Sequence, residues 1–270
     1  MKTFKKTSLP LLVIKSMTVL FLATSCELLD KDTPTNKGNE ITHYGPSVPL
    51  GNGKAQSFIT LARNGSPTAM GIAISEKALE NLPTGHEGHG NHSSLETFLQ
   101  LPSQASITPF QYIILDWAPE GHEPNGIYNL PHFDCHFYMI SNEERLAITP
   151  LAEMDPEIPL AKYIPVPFIQ LPGRVPQMGV HWLDPRSPEL AGETFTRTFI
   201  YGSYKEKIAF LEPMITLDYI KSKPTNIDPV PLPGAFQTAG FYPSKYEVKY
   251  SAVRKEYLIM FSDFSYKTGE

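Results

Sequence analysis

The sequence predicts a mainly β fold: a single barrel- or sandwich-like domain with a few short helices. Three observations point there. Short stretches that alternate apolar and polar residues recur along the chain, and this is the side-chain period of a half-buried strand. The 26 prolines are spread over all 270 residues, which suits strands and fixed turns better than long helices. No long helical period alternates with strands, so the Rossmann and TIM architectures find no support.

The elements follow in chain order. Residues 56–62 and 68–74 read as two strands about an Asn64-Gly65 turn. Ser75 is placed to cap a short helix over 76–81. Residues 83–94 hold His86, His89 and His92 among glycines and read as a loop. Such a loop can bind zinc, copper or nickel, or can be a solvated insertion. Strands are expected at 97–101, 110–117 and 132–140. Ser141 and Glu144 have capping-box spacing for a short helix. A proline-rich crossing covers 150–176, and strands follow at 178–183, 195–201 and 207–214. Thr216 is placed to cap a helix through Lys221, and 246–251 with 257–261 read as a closing hairpin.

The first 25 residues read as a bacterial lipoprotein signal. Lys2, Lys5 and Lys6 precede an apolar stretch, and Ala23-Thr24-Ser25 lead into Cys26. Lys15 interrupts the apolar stretch, which falls short of the ~20 residues of a spanning helix. The expectation is a lipid anchor at Cys26, a flexible polar tether over 26–50, and one β-rich domain over 51–266 in the bacterial cell envelope. Only Cys135 then remains of the two cysteines, so no intrachain disulfide is expected. The net charge of -5 and the lack of a long basic run in the mature region argue against nucleic acid as a partner.

The chemistry concentrates in His132-Phe-Asp-Cys-His-Phe-Tyr138. On a strand, His132, Asp134 and His136 share one face and Phe133, Cys135 and Phe137 the other. Same-face neighbours i and i+2 lie about 6.7 Å apart and can share an ion, whereas i and i+4 are about twice as far. Asp134 with His132, or Asp134 with His136, is therefore the expected ligand pair. His181 and Glu212 would arrive from neighbouring strands, and Asp134 can alternatively orient an imidazole. These donors suit zinc, iron or manganese. His122, in a loop beside Glu120 and Glu123, is a weaker candidate, and Trp182 with Phe210 are candidate apolar walls.

Five motifs together resemble a known family: Asp116-Trp-x-Pro-x-Gly-His-x-Pro, Pro131-His-Phe-Asp-x-His-Phe-Tyr, Val175-Pro-x-Met-Gly-x-His-Trp, Tyr201-Gly-Ser-Tyr and Glu212-Pro-Met-Ile. The family is an uncharacterised group of bacterial secreted proteins and lipoproteins, a domain of unknown function whose prototype is a Thermus protein under extracytoplasmic sigma-factor control. The resemblance spans about Gly51 to Phe261 and implies an envelope protein without naming a reaction.

Three roles fit these readings. One is a metal-dependent enzyme. Another is a non-catalytic module that binds or senses a metal or a small ligand. The third is an oligomeric assembly protein whose His/Asp face is buried between subunits.

Overall fold

Strand pairing builds two antiparallel sheets in a computed structural model that describes Met1 and residues 36–37, 40–84 and 95–270. In chain order the strands are β1 (Asn36–Lys37), β2 (Glu40–Tyr44), β3 (Val48–Leu50), β4 (Gly53–Leu61), β5 (Pro67–Ser75), β6 (Leu95–Gln100), β7 (Tyr112–Ala118), β8 (His132–Tyr138), β9 (Ile169–Gln170), β10 (Val180–Leu183), β11 (Arg197–Tyr204), β12 (Lys207–Thr216), β13 (Thr225–Pro229), β14 (Gly240–Ser251) and β15 (Glu256–Lys267). The two short helices among the described residues are α1 (Asn142–Leu146) and α2 (Leu217–Lys221).

The first sheet runs β1-β2-β4-β5-β15-β14-β13, with β3 also paired to β4. The second runs β6-β7-β8-β12-β11-β10-β9. Neither path closes on itself, so the fold is sandwich-like and the barrel alternative falls away. The main core lies between the inner faces. Ile59, Ile72, Val248, Ile259 and Phe261 come from the first sheet; Ile113, Leu115, Phe133, Cys135, Phe137 and Leu211 come from the second. Phe137 and Phe261 meet across the gap with ring centroids 4.4 Å apart. Each such fully buried side chain stabilises the fold by about 1.5–3 kcal/mol.

Local sequence explains several boundaries. Ser141 caps α1 by accepting from the Glu144 amide at 3.0 Å, and Thr216 caps α2 by accepting from the Tyr219 amide at 3.3 Å. Lys205 and Glu206, at φ +48° and +64°, turn β11 into β12 between the paired residues Tyr204 and Lys207. Positive φ at both central positions matches the right-handed twist of the flanking strands. Ser75 makes no side-chain cap, and Glu76–Leu79 is one 3-10 turn. Arg145 of α1, 4 % exposed, reaches across to both Glu96 carboxylate oxygens at 2.9 and 3.1 Å and fastens the helix to β6.

The tether expected over 26–50 does not reach residue 50. β2 pairs with β4 through Ile41–Leu61 and Tyr44–Phe58, and β3 pairs with β4 through Val48–Ala55. The domain therefore begins before Gly51. Pro46, Pro49 and the polar Thr42 and His43 look like linker, yet an edge strand tolerates proline and outward polar residues. Its far end also extends past 266, because Gly269 bridges to Phe236. Among the described residues no helix is long and apolar enough to cross a membrane.

Candidate metal centre

The outer face of the second sheet carries the polar cluster. On β7, Ile113, Leu115 and Trp117 enter the main core, which turns Asp116 outward. On β8, Phe133, Cys135 and Phe137 enter it, so His132, Asp134 and His136 share the outer face. On β12, Leu211 and Ile215 enter it, leaving Glu212 outward. Antiparallel register places Asp116 opposite Asp134 and Asp134 opposite Met214. From β10, His181 faces the site while Val180 and Trp182 pack in the core. His122 arrives from the loop between β7 and β8.

Although it is an outer face, these groups are not exposed. His132, Asp134, His136, Asp116 and Glu212 are each 3 % exposed or less. Loop residues Tyr128 and Phe195 pack with Ile200 and Met214 on one side. Tyr112, Tyr138, Tyr204 and Phe210 pack on the other. Buried charge is tolerated only when it is paired or holds a metal.

The donors fall into two groups rather than one. In the first, His122 Nε2 lies 3.2 Å from Asp134 Oδ2, and His132 Nε2 lies 3.0 Å from Asp134 Oδ1. In the second, His136 Nε2 lies 3.3 Å from Glu212 Oε1, and His181 Nε2 lies 3.9 Å from Glu212 Oε2. Within each group one ligand atom per residue lies within 4.8 Å of the others, close enough to surround one ion. His136 Nδ1 lies 3.1 Å from Asp116 Oδ2. Carboxylates commonly stand behind the imidazoles that ligate metals.

Several of these contacts are close without being aligned as hydrogen bonds. Both Asp116 oxygens, both His136 nitrogens, His132 Nε2, Asp134 Oδ1 and Glu212 Oε2 are buried and lack a hydrogen bond of acceptable geometry. Orphaned buried polar atoms are uncommon, and an ion is one way to satisfy them.

The charges are strongly coupled. Burial pushes Glu212 up to about 7, against the opposing pull of His136. Burial likewise raises Asp116, again opposed by His136. Burial disfavours the His136 cation, yet Glu212 and Asp116 outweigh it and push His136 up to about 9. The same contest at His122 is won by Asp134, and it too reaches about 9. Burial would raise Asp134, but His132 and His122 hold it well below the usual range. Burial raises the Cys135 thiol well above its ordinary value, so in the core it is an inert small hydrophobe.

A cavity of about 420 Å³ opens over both groups. His122, Asp134, His136, His181 and Glu212 line its polar part, and Leu171, Val175, Met178, Ile200 and Met214 its apolar walls. Phe210 supplies the wall expected of it, edge-on to His136 at 4.8 Å and to His181 at 5.5 Å. Trp182 does not. It faces the main core and donates from Nε1 to Ser203 Oγ at 2.8 Å, because it neighbours His181 on a strand and must point the other way.

Phe210 needs Gly202 beneath it. A Cβ on Gly202 would lie only 2.1–2.5 Å from three Phe210 ring carbons, and the ring is fully buried. Gly202→Ala is expected to cost about 1–3 kcal/mol in chemical denaturation, the usual range for overpacking. It should also weaken any ion held by His136 and His181; unchanged stability would show that the ring moves freely.

Of the expected residues, His132 and Asp134 come together with His122, while His136 comes together with His181 and Glu212. His122 stands fully in the cluster. Asp116 is the residue that sequence reasoning missed as a site group. Its signal was a lone carboxylate inside the apolar run Tyr112-Ile-Ile-Leu-Asp-Trp-Ala. Cys26, His86, His89 and His92 lie outside the described residues.

The molecule is thus a two-sheet β protein with a buried histidine–carboxylate cleft on the outer face of one sheet. Residues 63–117 match the family model described as TTHB210-like, Hypothetical protein TTHB210. The match agrees with the uncharacterised, Thermus-prototype family that the five motifs resemble. No curated protein and no solved structure matches the chain.

Proposed function

We propose that this is a cell-envelope protein, lipid-anchored at Cys26, whose cleft holds a divalent transition metal and acts on a small molecule. One observation carries the reading. His136, His181 and Glu212 converge within 4.8 Å at the polar part of an accessible cavity, with Asp116 behind His136. Two imidazoles and a carboxylate suit zinc in a hydrolytic site, or iron and manganese in an open one. Such an ion supplies a Lewis acid and an activated water. The chain's own part is to hold His136 through Asp116, to wall the site with Phe210, and to seat an apolar group against Leu171, Val175 and Met214.

The test is elemental analysis of the gently purified full chain, before and after chelation. Bound zinc, iron or manganese, with a fall in Tm on chelation, is expected. Metal-free protein that neither takes up these ions nor changes Tm would overturn the reading.

A second reading is a non-catalytic binding or sensing module, favoured by the mainly apolar walls of the cavity. Turnover screens of the metal-loaded protein against ester, amide and phosphoester substrates separate the two. The assembly reading has less support, because loops of the same chain already cover the His/Asp face: His132 is 0 % and His136 1 % exposed.

A further inference from the structure

We infer that His122, His132 and Asp134 form a second metal position, so that the cleft is built for two ions. The proposal shares its cavity with the site of His136, His181 and Glu212 but none of its ligands.

Tautomers carry the case. His132 Nδ1 lies 2.6 Å from the Leu130 carbonyl oxygen, and His122 Nδ1 lies 2.6 Å from the Glu123 carbonyl oxygen. A carbonyl only accepts, so each Nδ1 donates. In the neutral rings both Nε2 atoms then carry lone pairs, and both are turned toward the Asp134 carboxylate, at 3.2 Å for His122 and 3.0 Å for His132. A divalent ion among the three would take the place of a proton on an imidazole and meet both Nε2 lone pairs and the carboxylate together. Backbone carbonyls that fix Nδ1–H while Nε2 faces outward are a common support for metal-ligating histidine.

In the metal-free protein His122 donates a proton to Asp134, which leaves His132 to be satisfied. His132 Nε2 and Asp134 Oδ1 are buried and close, yet they are not aligned as a hydrogen bond. A proton needs that alignment, whereas an ion can sit off the line between the two atoms. His132, 0 % exposed, and Asp134, 3 % exposed, have little access to water that could serve instead.

Histidine usage adds to this. Of eight histidines in the chain, four meet in this cleft, two in each group. His122, with its side chain 18 % exposed, is the ligand through which an ion could enter.

The experiment is zinc titration of the full chain by calorimetry and equilibrium dialysis, with elemental analysis. His86→Ala, His89→Ala and His92→Ala are carried in every variant so that these three histidines do not add to the stoichiometry. About two zinc per chain are expected, falling to about one in His122→Ala and to about one in His181→Ala, with none tightly held when both are changed. Circular dichroism checks folding, and Asp134→Asn replaces His122→Ala if the latter does not fold. Two outcomes overturn the second position and leave the first standing: one zinc per chain, lost in His181→Ala and kept in His122→Ala; or two zinc per chain, both kept in His122→Ala. No zinc in any variant would remove both positions.

Discussion

His136→Ala is expected to destabilise the metal-free domain by about 3–5 kcal/mol at pH 8, the cost of breaking a buried ion pair by removing one partner. The imidazole stands between Asp116 at 3.1 Å and Glu212 at 3.3 Å. Truncation leaves two carboxylates buried in a gap with no cation between them. Both are already held above their ordinary values by burial, with His136 opposing that rise, so losing His136 raises them further. They can then escape the penalty by taking up protons. The loss should therefore be smaller at pH 5 than at pH 8, because carboxyl groups raised in the folded state cost stability only where they ionise. Denaturant unfolding at the two pH values measures this. A small loss that is the same at both would show that His136 is not the counter-ion of these groups. The variant should also lose the ion of its group, since one of three protein ligands is gone.

Metal affinity is expected to rise about tenfold per pH unit between pH 7 and 9 for each ion, and to flatten above 9. A ligating histidine must give up its proton, and His136 and His122 keep theirs up to about 9. Below pH 7 the ion at His136 should show a steeper slope, because Glu212, raised to about 7, must also deprotonate. The same protons stabilise the metal-free fold. A histidine raised from 6.5 to about 9 contributes fully below pH 6.5, and its contribution fades as pH rises through 9. Apo-protein stability should thus fall over the interval in which metal affinity rises. Calorimetry in buffers of different ionisation enthalpy reads the released protons directly; pH-independent affinity with no proton release would mean that the histidines enter the site already neutral.

Much of this was legible in the sequence because it is local. Alternation along His132-Phe-Asp-Cys-His-Phe-Tyr138 sets which side chains share a face, and the structure keeps that division: Phe133, Cys135 and Phe137 lie in the main core, and the histidines and Asp134 opposite. Strand geometry also separated His132 from His136. They are four residues apart, and the structure assigns them to different groups. Ser141 and Thr216 mark their helices because a cap depends on only the next three residues. The short strands β1 to β3, β9 and β13, at or next to the sheet edges, were not legible. Their residues carry weak alternation, and partners distant in sequence, such as β4 for β2, supply their hydrogen bonds.

The sequence by itself determined the β class, the faces of the strands and the set of ligand-type residues, since each follows from a period of two or from side-chain chemistry. Only the tertiary structure decided which of those residues meet. Asp116 reaches His136 because β7 pairs with β8 in a register that sets Asp116 opposite Asp134, and no local pattern encodes that register. His122 joins the cluster because its loop folds back under Tyr128, whose hydroxyl donates to Glu189 at 3.2 Å, 61 residues away. Trp182 was lost as a wall for the same reason that His181 was gained, since adjacent residues on β10 cannot share a face. Burial does the rest: the charges of these groups are set by partners and solvent exclusion that exist only once both sheets and their loops have closed around them.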